Sequence, residues 1–186
     1  MGYIDNYGAP ERKFQQPDTS LVVTDGHRVE GYASLFGKQD QGGDVVQQGA
    51  YKVSLAALTA RGRSVKMLWQ HDPSQPIGVW DEVREDGTGL YVKGRILIEV
   101  EKGREAAALL AAGAIDGLSI GYRTLRAEKD GKGRRLLSEL ELWEVSLVTF
   151  PMLPEARVAA KGDTPDAVWR NIARIFDEAR REMAAR

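Results

Sequence analysis

Residues 117–150 read GLSIGYRTLRAEKDGKGRRLLSELELWEVSLVTF. The turn-forming run Asp130-Gly131-Lys132-Gly133 divides them into two β-rich arms, LSIGYRTLRAEKD and RRLLSELELWEVSLVTF. Turn residues between two such arms reverse the chain and lay the arms side by side, so the stretch predicts a pair of neighbouring antiparallel strands. In the first arm Ser119 stands between Leu118 and Ile120, which puts its hydroxyl on the opposite face from those apolar neighbours. In the second, Glu144 is the only charge in LWEVSLVTF, a run apolar enough to be buried on both faces.

Moving upstream, KGREAAALLAAG (102–113) is a short Ala/Leu-rich helix with Gly113 placed as a C-cap. Before it, IGVWDEVRED and GLYVKGRILIE alternate with period two around Asp86-Gly87 and form a hairpin. SVKMLWQHD reads as a strand ending at His71, and Pro73 and Pro76 then place the imidazole where strand yields to loop. Tyr51, Leu55 and Leu58 recur at helical spacing until Gly62, after a Gly-rich loop at 37–49. LVVT, Asp25-Gly26 and RVEGYASLFG make another hairpin. Residues 1–18 lack periodicity and read as a loose arm. Beyond Pro151 and Pro154, Thr164-Pro165-Asp166 opens an amphipathic helix within 161–186, with Val168, Ile172, Ile175, Ala179 and Met183 on one stripe. About seven strands with two embedded helices predict a mixed, β-rich α+β fold: an antiparallel barrel or curled sheet flanked by helices.

Composition removes several functions. The 26 basic and 27 acidic side chains nearly cancel, so the broad positive field of a nucleic-acid binder is absent. Without cysteine there is no disulfide, thiolate metal site or cysteine nucleophile. Two histidines, His27 and His71, leave a zinc site dependent on carboxylates, and neither a metal nor any other cofactor is expected. No stretch approaches the ~18 apolar residues of a membrane span, and the N-terminus has no signal core, so the expectation is a soluble cytoplasmic chain that uses no membrane.

Gly117-Leu118-Ser119-Ile120-Gly121 matches the nucleophile-elbow pattern of α/β-hydrolases, but the context is inverted. A helix precedes the serine, a strand follows it, and no histidine occurs after His71. The glycines still suit close approach of a substrate backbone to Ser119. The alternative is a serine on a solvated strand face. A serine nucleophile with an imidazole base must choose between His27, beside a turn dipeptide, and His71, which follows Met67-Leu68-Trp69. A structural histidine is the alternative for His71. A buried carboxylate at Glu144 needs a partner, because its lost hydration costs several kcal/mol. That partner is either a catalytic imidazole, which the carboxylate orients, or one of the arginines. Glu141, Asp116 and Asp72 are further candidates for the same role; alternation sets Glu141 on the other strand face, with Glu139, and Glu144 is preferred.

EGYASLFG with GGDVVQQGAY, LWQHDPSQPIG, LLAAGAIDGLSIGY and LWEVSLVTFPMLPEARV occur here in one order. Together they resemble the prohead maturation proteases of tailed bacteriophages, a family similar in fold to the herpesvirus assembly protease, over about residues 28–158. The resemblance implies a serine endopeptidase with His71 as general base, Ser119 as nucleophile and Glu144 as the acid that orients His71. It implies a protease domain at 19–160 and, as substrates and partners, the major capsid protein with its scaffold segment and the protease itself, by autoprocessing and as a homodimer or higher oligomer. The work would be done in the bacterial cytoplasm, inside the assembling prohead of a phage or of a gene-transfer particle. Residues 161–186 would then serve as an encapsidation or autoprocessing segment. Many relatives carry Asn-Pro where this chain has Pro151-Met152-Leu153-Pro154, the loop expected to contribute to the oxyanion hole. Two rival expectations are a non-catalytic assembly or scaffolding module of the same fold and a metal-assisted hydrolase built on His71 and Asp72.

Overall fold

The computed structural model describes residues 11–14, 22–40 and 42–149. The 161–186 helix and the loop at 151–154 lie outside the described residues. The two arms of the opening stretch become β8 (Gly117–Lys129) and β9 (Arg135–Val148), antiparallel and paired along nearly their whole length. Their inner halves are sealed: Gly117–Tyr122 and Glu144–Val148 are buried, whereas the outer half of β8 is exposed. This gradient follows the sequence, since charge crowds toward the 130–133 turn and apolar residues toward the opposite end.

Around this pair the sheet runs β1 (Glu11–Phe14), β8, β9, β5 (Lys66–Trp69), β6 (Asp72–Glu85), β7 (Gly89–Ile96), β3 (Arg28–Leu35) and β2 (Val22–Thr24). A further short strand, β4 (Asp44–Val46), lies alongside β9. The described sheet thus has nine strands instead of about seven, is open at β1 and β2, and is not wholly antiparallel: β5 and β4 both run parallel to β9. Parallel pairing joins strands distant in sequence, which no local turn signal announces. β4 falls in the expected loop 37–49 and is tied to β9 by Asp44, whose carboxylate takes a two-pronged bond from Arg135 at 2.9 and 2.8 Å. β1 falls within the expected arm 1–18, where the open edge of β8 offers an unpaired row of backbone groups.

Two helices among the described residues pack on the sheet. In α1 (Lys52–Ala60) the N-terminal neighbour Tyr51 is fully buried, Leu55 and Leu58 pack on the core, and Gly62 takes a positive φ of 60° where the helix stops. In α2 (Glu101–Ala111) Ala106, Ala107 and Leu110 face inward. A Cβ at Gly103 would meet the Leu97 carbonyl at 2.0 Å, so this helix sits against the preceding loop only because the residue is glycine. The core gathers Met67, Ile77, Leu118, Ile120, Leu142 and Val145 from four adjacent strands, β5, β6, β8 and β9, and the helices close over it.

One difference bears directly on the site. Asp72–Glu85 is a single strand from its first residue, prolines included, because bulges at Met67/Leu68 and Leu68/Trp69 absorb the extra residues. Trp69 pairs with Asp72, so His71 occupies a two-residue hairpin loop between β5 and β6 and no long loop follows it.

Candidate active site

Three adjacent strands supply the site. The β8–β9 register sets Ser119 opposite Ser146 and Gly121 opposite Glu144, and the β5–β9 register sets Lys66 beside Glu144 and Leu68 beside Ser146. The Gln70-His71 loop at the end of β5 therefore folds over the carboxyl end of β9. His71 Nε2 lies 2.7 Å from Ser119 Oγ, and His71 Nδ1 lies 2.5 Å from Glu144 Oε1. Ser119 has no exposed surface, His71 is 6% exposed and Glu144 8%. An ionised carboxylate only accepts hydrogen bonds, so the proton of a neutral ring belongs on Nδ1, and Nε2 is left to accept from the serine hydroxyl. This orders hydroxyl, imidazole and carboxylate as a relay of donors and acceptors that can move a proton off Oγ.

The remaining candidates lie elsewhere. His27 sits in the β2–β3 turn with Nδ1 2.8 Å from the Asp25 carbonyl. Asp72 accepts from Ser74, backbone and side chain, and from Gln75 Nε2; these bonds, that of the Ser74 hydroxyl first, hold its carboxyl below the usual aspartate range. Glu141 pairs with Arg123 at 2.8 Å and Glu139 with Arg126 at 3.6 Å. Asp116 stands just before β8. Among the described residues no group of three or more His, Asp or Glu is arranged to hold a metal ion, and no helix is long and apolar enough to cross a membrane.

The loop that carries His71 is unusual in its backbone. Gln70 and His71 have φ of 51° and 63°. Two positive φ values in a two-residue hairpin loop are the pattern that Asn-Gly ordinarily fills, and each non-glycine residue there carries a cost of ~1–2 kcal/mol. Bonds to distant residues hold it: Gln70 N–H donates to the Leu147 carbonyl at 3.0 Å, Gln70 Nε2 to Thr149 Oγ1 at 2.5 Å, and His71 N–H to Ser146 Oγ at 3.1 Å.

Gly121 has a use beside the one its motif suggests. A Cβ there would stand 2.1 Å from Glu144 Oε1, so the missing side chain makes room for the carboxylate. Ser146 is the polar neighbour that motif reading passed over. The signal was present for Ser146, which shares a strand face with Glu144 two residues away.

The sequence model of the caudovirus prohead serine proteases matches residues 14–169, which include all three strands of the site. The chain belongs to the caudovirus prohead serine protease family. The prohead protease of Enterobacteria phage HK97 is 34% identical over 134 residues, 70% of this chain but 58% of that protein, so the chain spans less than two thirds of this relative. The capsid polyprotein of Pseudomonas phage PAJU2 is 32% identical over 104 residues, 52% of this chain and 15% of that one. Among solved structures, the bacteriophage T4 capsid assembly protease superposes with a TM-score of 0.64 at 15% identity, covering 78% of this chain and all of that chain. The curled, β-rich sheet with few helices is therefore a fold that this prohead protease family member has in common with a phage capsid protease.

Proposed function

We propose that this chain is a serine endopeptidase that cleaves the capsid precursor or its scaffold segment, and itself, inside an assembling prohead. The reading is supported above all by the 2.7 Å approach of His71 Nε2, in the β5–β6 turn, to Ser119 Oγ on β8, two groups 48 residues apart in the chain. In the proposed reaction His71 takes the Ser119 proton as Oγ attacks the scissile carbonyl. Glu144 keeps the imidazole in the tautomer that accepts this proton and offsets the positive charge that follows. The imidazolium then protonates the leaving amine, and water activated by the same ring releases the acyl group from Ser119.

The names of the relatives support capsid protein as substrate and partner: each is a prohead protease, a capsid polyprotein or a capsid assembly protease. Confinement in a closed shell would raise the effective substrate concentration, so slow intrinsic turnover suffices. The same proposal extends the fold to that of the herpesvirus assembly protease, to be tested by superposing the two sheets. The test of the activity is labelling by a fluorophosphonate probe: wild type is expected to label at Ser119, and Ser119→Ala not to label. Co-expression with the cognate capsid protein, followed by mass measurement of the products, is expected to show fragments that Ser119→Ala does not produce. Intact capsid protein beside active wild type would remove it as the substrate.

A further inference from the structure

Ser146 has no exposed surface, and its hydroxyl is engaged twice. It accepts the His71 backbone N–H at 3.1 Å and lies 2.6 Å from Glu144 Oε2. A hydroxyl has one proton and two lone pairs. Since the His71 N–H must donate, and an ionised carboxylate must accept, the Ser146 proton is directed at Oε2. Glu144 is then gripped on both oxygens: Oε1 by the imidazole at 2.5 Å and Oε2 by Ser146. On its third side, the glycine at 121 leaves the space in which Oε1 lies.

We propose that Ser146 is a positioning residue of the catalytic apparatus, joining the backbone of the base to the carboxylate that orients the base's ring. The inference rests on the protease reading above. It follows from how the His71 turn is held. With φ of 63° at His71, the local chain does not favour the conformation that points the ring at Ser119. One hydroxyl meets both needs: it satisfies a buried N–H of the strained turn and stops the carboxylate rotating about its own axis. β9 delivers Glu144 and Ser146 to the same face, and Ser146 sits opposite Ser119, so the positioning residue, the acid and the nucleophile share one register. Ser146 acts through Glu144 and the His71 backbone.

The test compares the second-order rate of fluorophosphonate labelling at Ser119 in wild type, Ser146→Ala, Ser146→Thr, Glu144→Gln and the double variant Ser146→Ala/Glu144→Gln, with thermal unfolding alongside. Groups that orient metal-ligating side chains are worth on the order of tenfold to a hundredfold, and by analogy a loss of that size is expected for Ser146→Ala. Ser146→Thr, which keeps the hydroxyl, is expected to recover most of it. In the Glu144→Gln background the same Ser146→Ala change is expected to cost less than about threefold, because residues acting through one another are not additive. A second readout needs no catalysis. The chain has only two histidines, so the far-downfield proton of His71 Nδ1 can be assigned by NMR, and it is expected to move upfield and broaden in Ser146→Ala. Absence of labelling in wild type would count against the protease reading, while the NMR shift would still decide the role of Ser146. The proposal is overturned if wild type labels and Ser146→Ala labels as fast, if the two losses multiply, or if the Nδ1 proton is unmoved. Should Ser146→Ala fail to fold, a Ser146→Thr protein with wild-type labelling and Nδ1 resonance supports the proposal, and a folded Ser146→Thr with neither overturns it.

Discussion

The two ends of the β8–β9 pair carry two turns built on opposite principles. At the far end, residues 130–133 are self-sufficient: Asp130 Oδ1 accepts the backbone N–H groups of Lys132 and Arg134 at 2.8 and 2.9 Å, Oδ2 takes Arg134 Nε at 2.6 Å, and Gly133 supplies the positive φ of 79°. At the near end, Gln70-His71 takes the same left-handed backbone with no glycine and none of this local help. Its partners, Ser146, Leu147 and Thr149, stand 75 or more positions along the chain. The first turn is dictated by its own residues. The second exists because the packed sheet over-determines it, which is how proteins hold strained residues at sites where direction matters. A glycine at 71 would relax the turn and remove the imidazole that meets Ser119.

The sharpest way to break this contrast is to alter one residue in each turn. His71→Ala is expected to lower fluorophosphonate labelling by at least about a thousandfold, as for loss of any member of a serine-histidine-acid set. Gly133→Ala should leave the labelling rate within about twofold. Equal losses would mean that the far turn also shapes the site.

Next in size is Gly121→Ala. Its new methyl would fall 2.1 Å from Glu144 Oε1, so the carboxylate must turn away from the ring. A labelling loss on the order of a hundredfold is expected, with ~1–3 kcal/mol of destabilisation from overpacking, read by urea unfolding. Unchanged labelling would show that Glu144 does not orient His71.

At the far turn the effects belong to stability alone. Gly133→Ala is expected to cost ~1–2 kcal/mol, the penalty of a side chain at positive φ, measured by the urea midpoint at constant slope.

The smallest effect concerns acid. The Arg134 bond, with the two backbone donors, holds the Asp130 carboxyl below its ordinary value of 3.8. A carboxyl lowered on folding adds stability that is present above the unfolded value and is lost as pH falls through the folded one. The stability gap between wild type and Asp130→Asn should therefore be constant near neutrality and close progressively below pH 3.8. A gap that widens in acid would contradict the local account of this turn.

Much of the fold was legible because its signals are local. The 130–133 turn, the Asp25-Gly26 and Asp86-Gly87 hairpins, and the glycines that end α1 and α2 all act within a few residues of themselves. Sequence patterning also marked Glu144 as a buried polar group in need of a partner, since a carboxylate in an apolar run loses hydration that only a partner offsets. The parallel pairing of β5 with β9 was not legible, nor was β4, because contacts between distant segments leave no periodic trace in either. The turn at Gln70-His71 was hidden for the same reason, and prolines in β6 argued against the strand that forms.

The amino-acid order thus determined the residue types, the alternation that turns Ser119 away from its apolar neighbours, and the hairpin that lays β8 on β9. Only the tertiary structure decided that β5 would lie on the other side of β9, in the register that brings His71 over Glu144 and against Ser119. The physical reason is that strand faces are set by a period of two within each segment, whereas which strands become neighbours, and in what register, is settled by the free energy of burying all their apolar faces together.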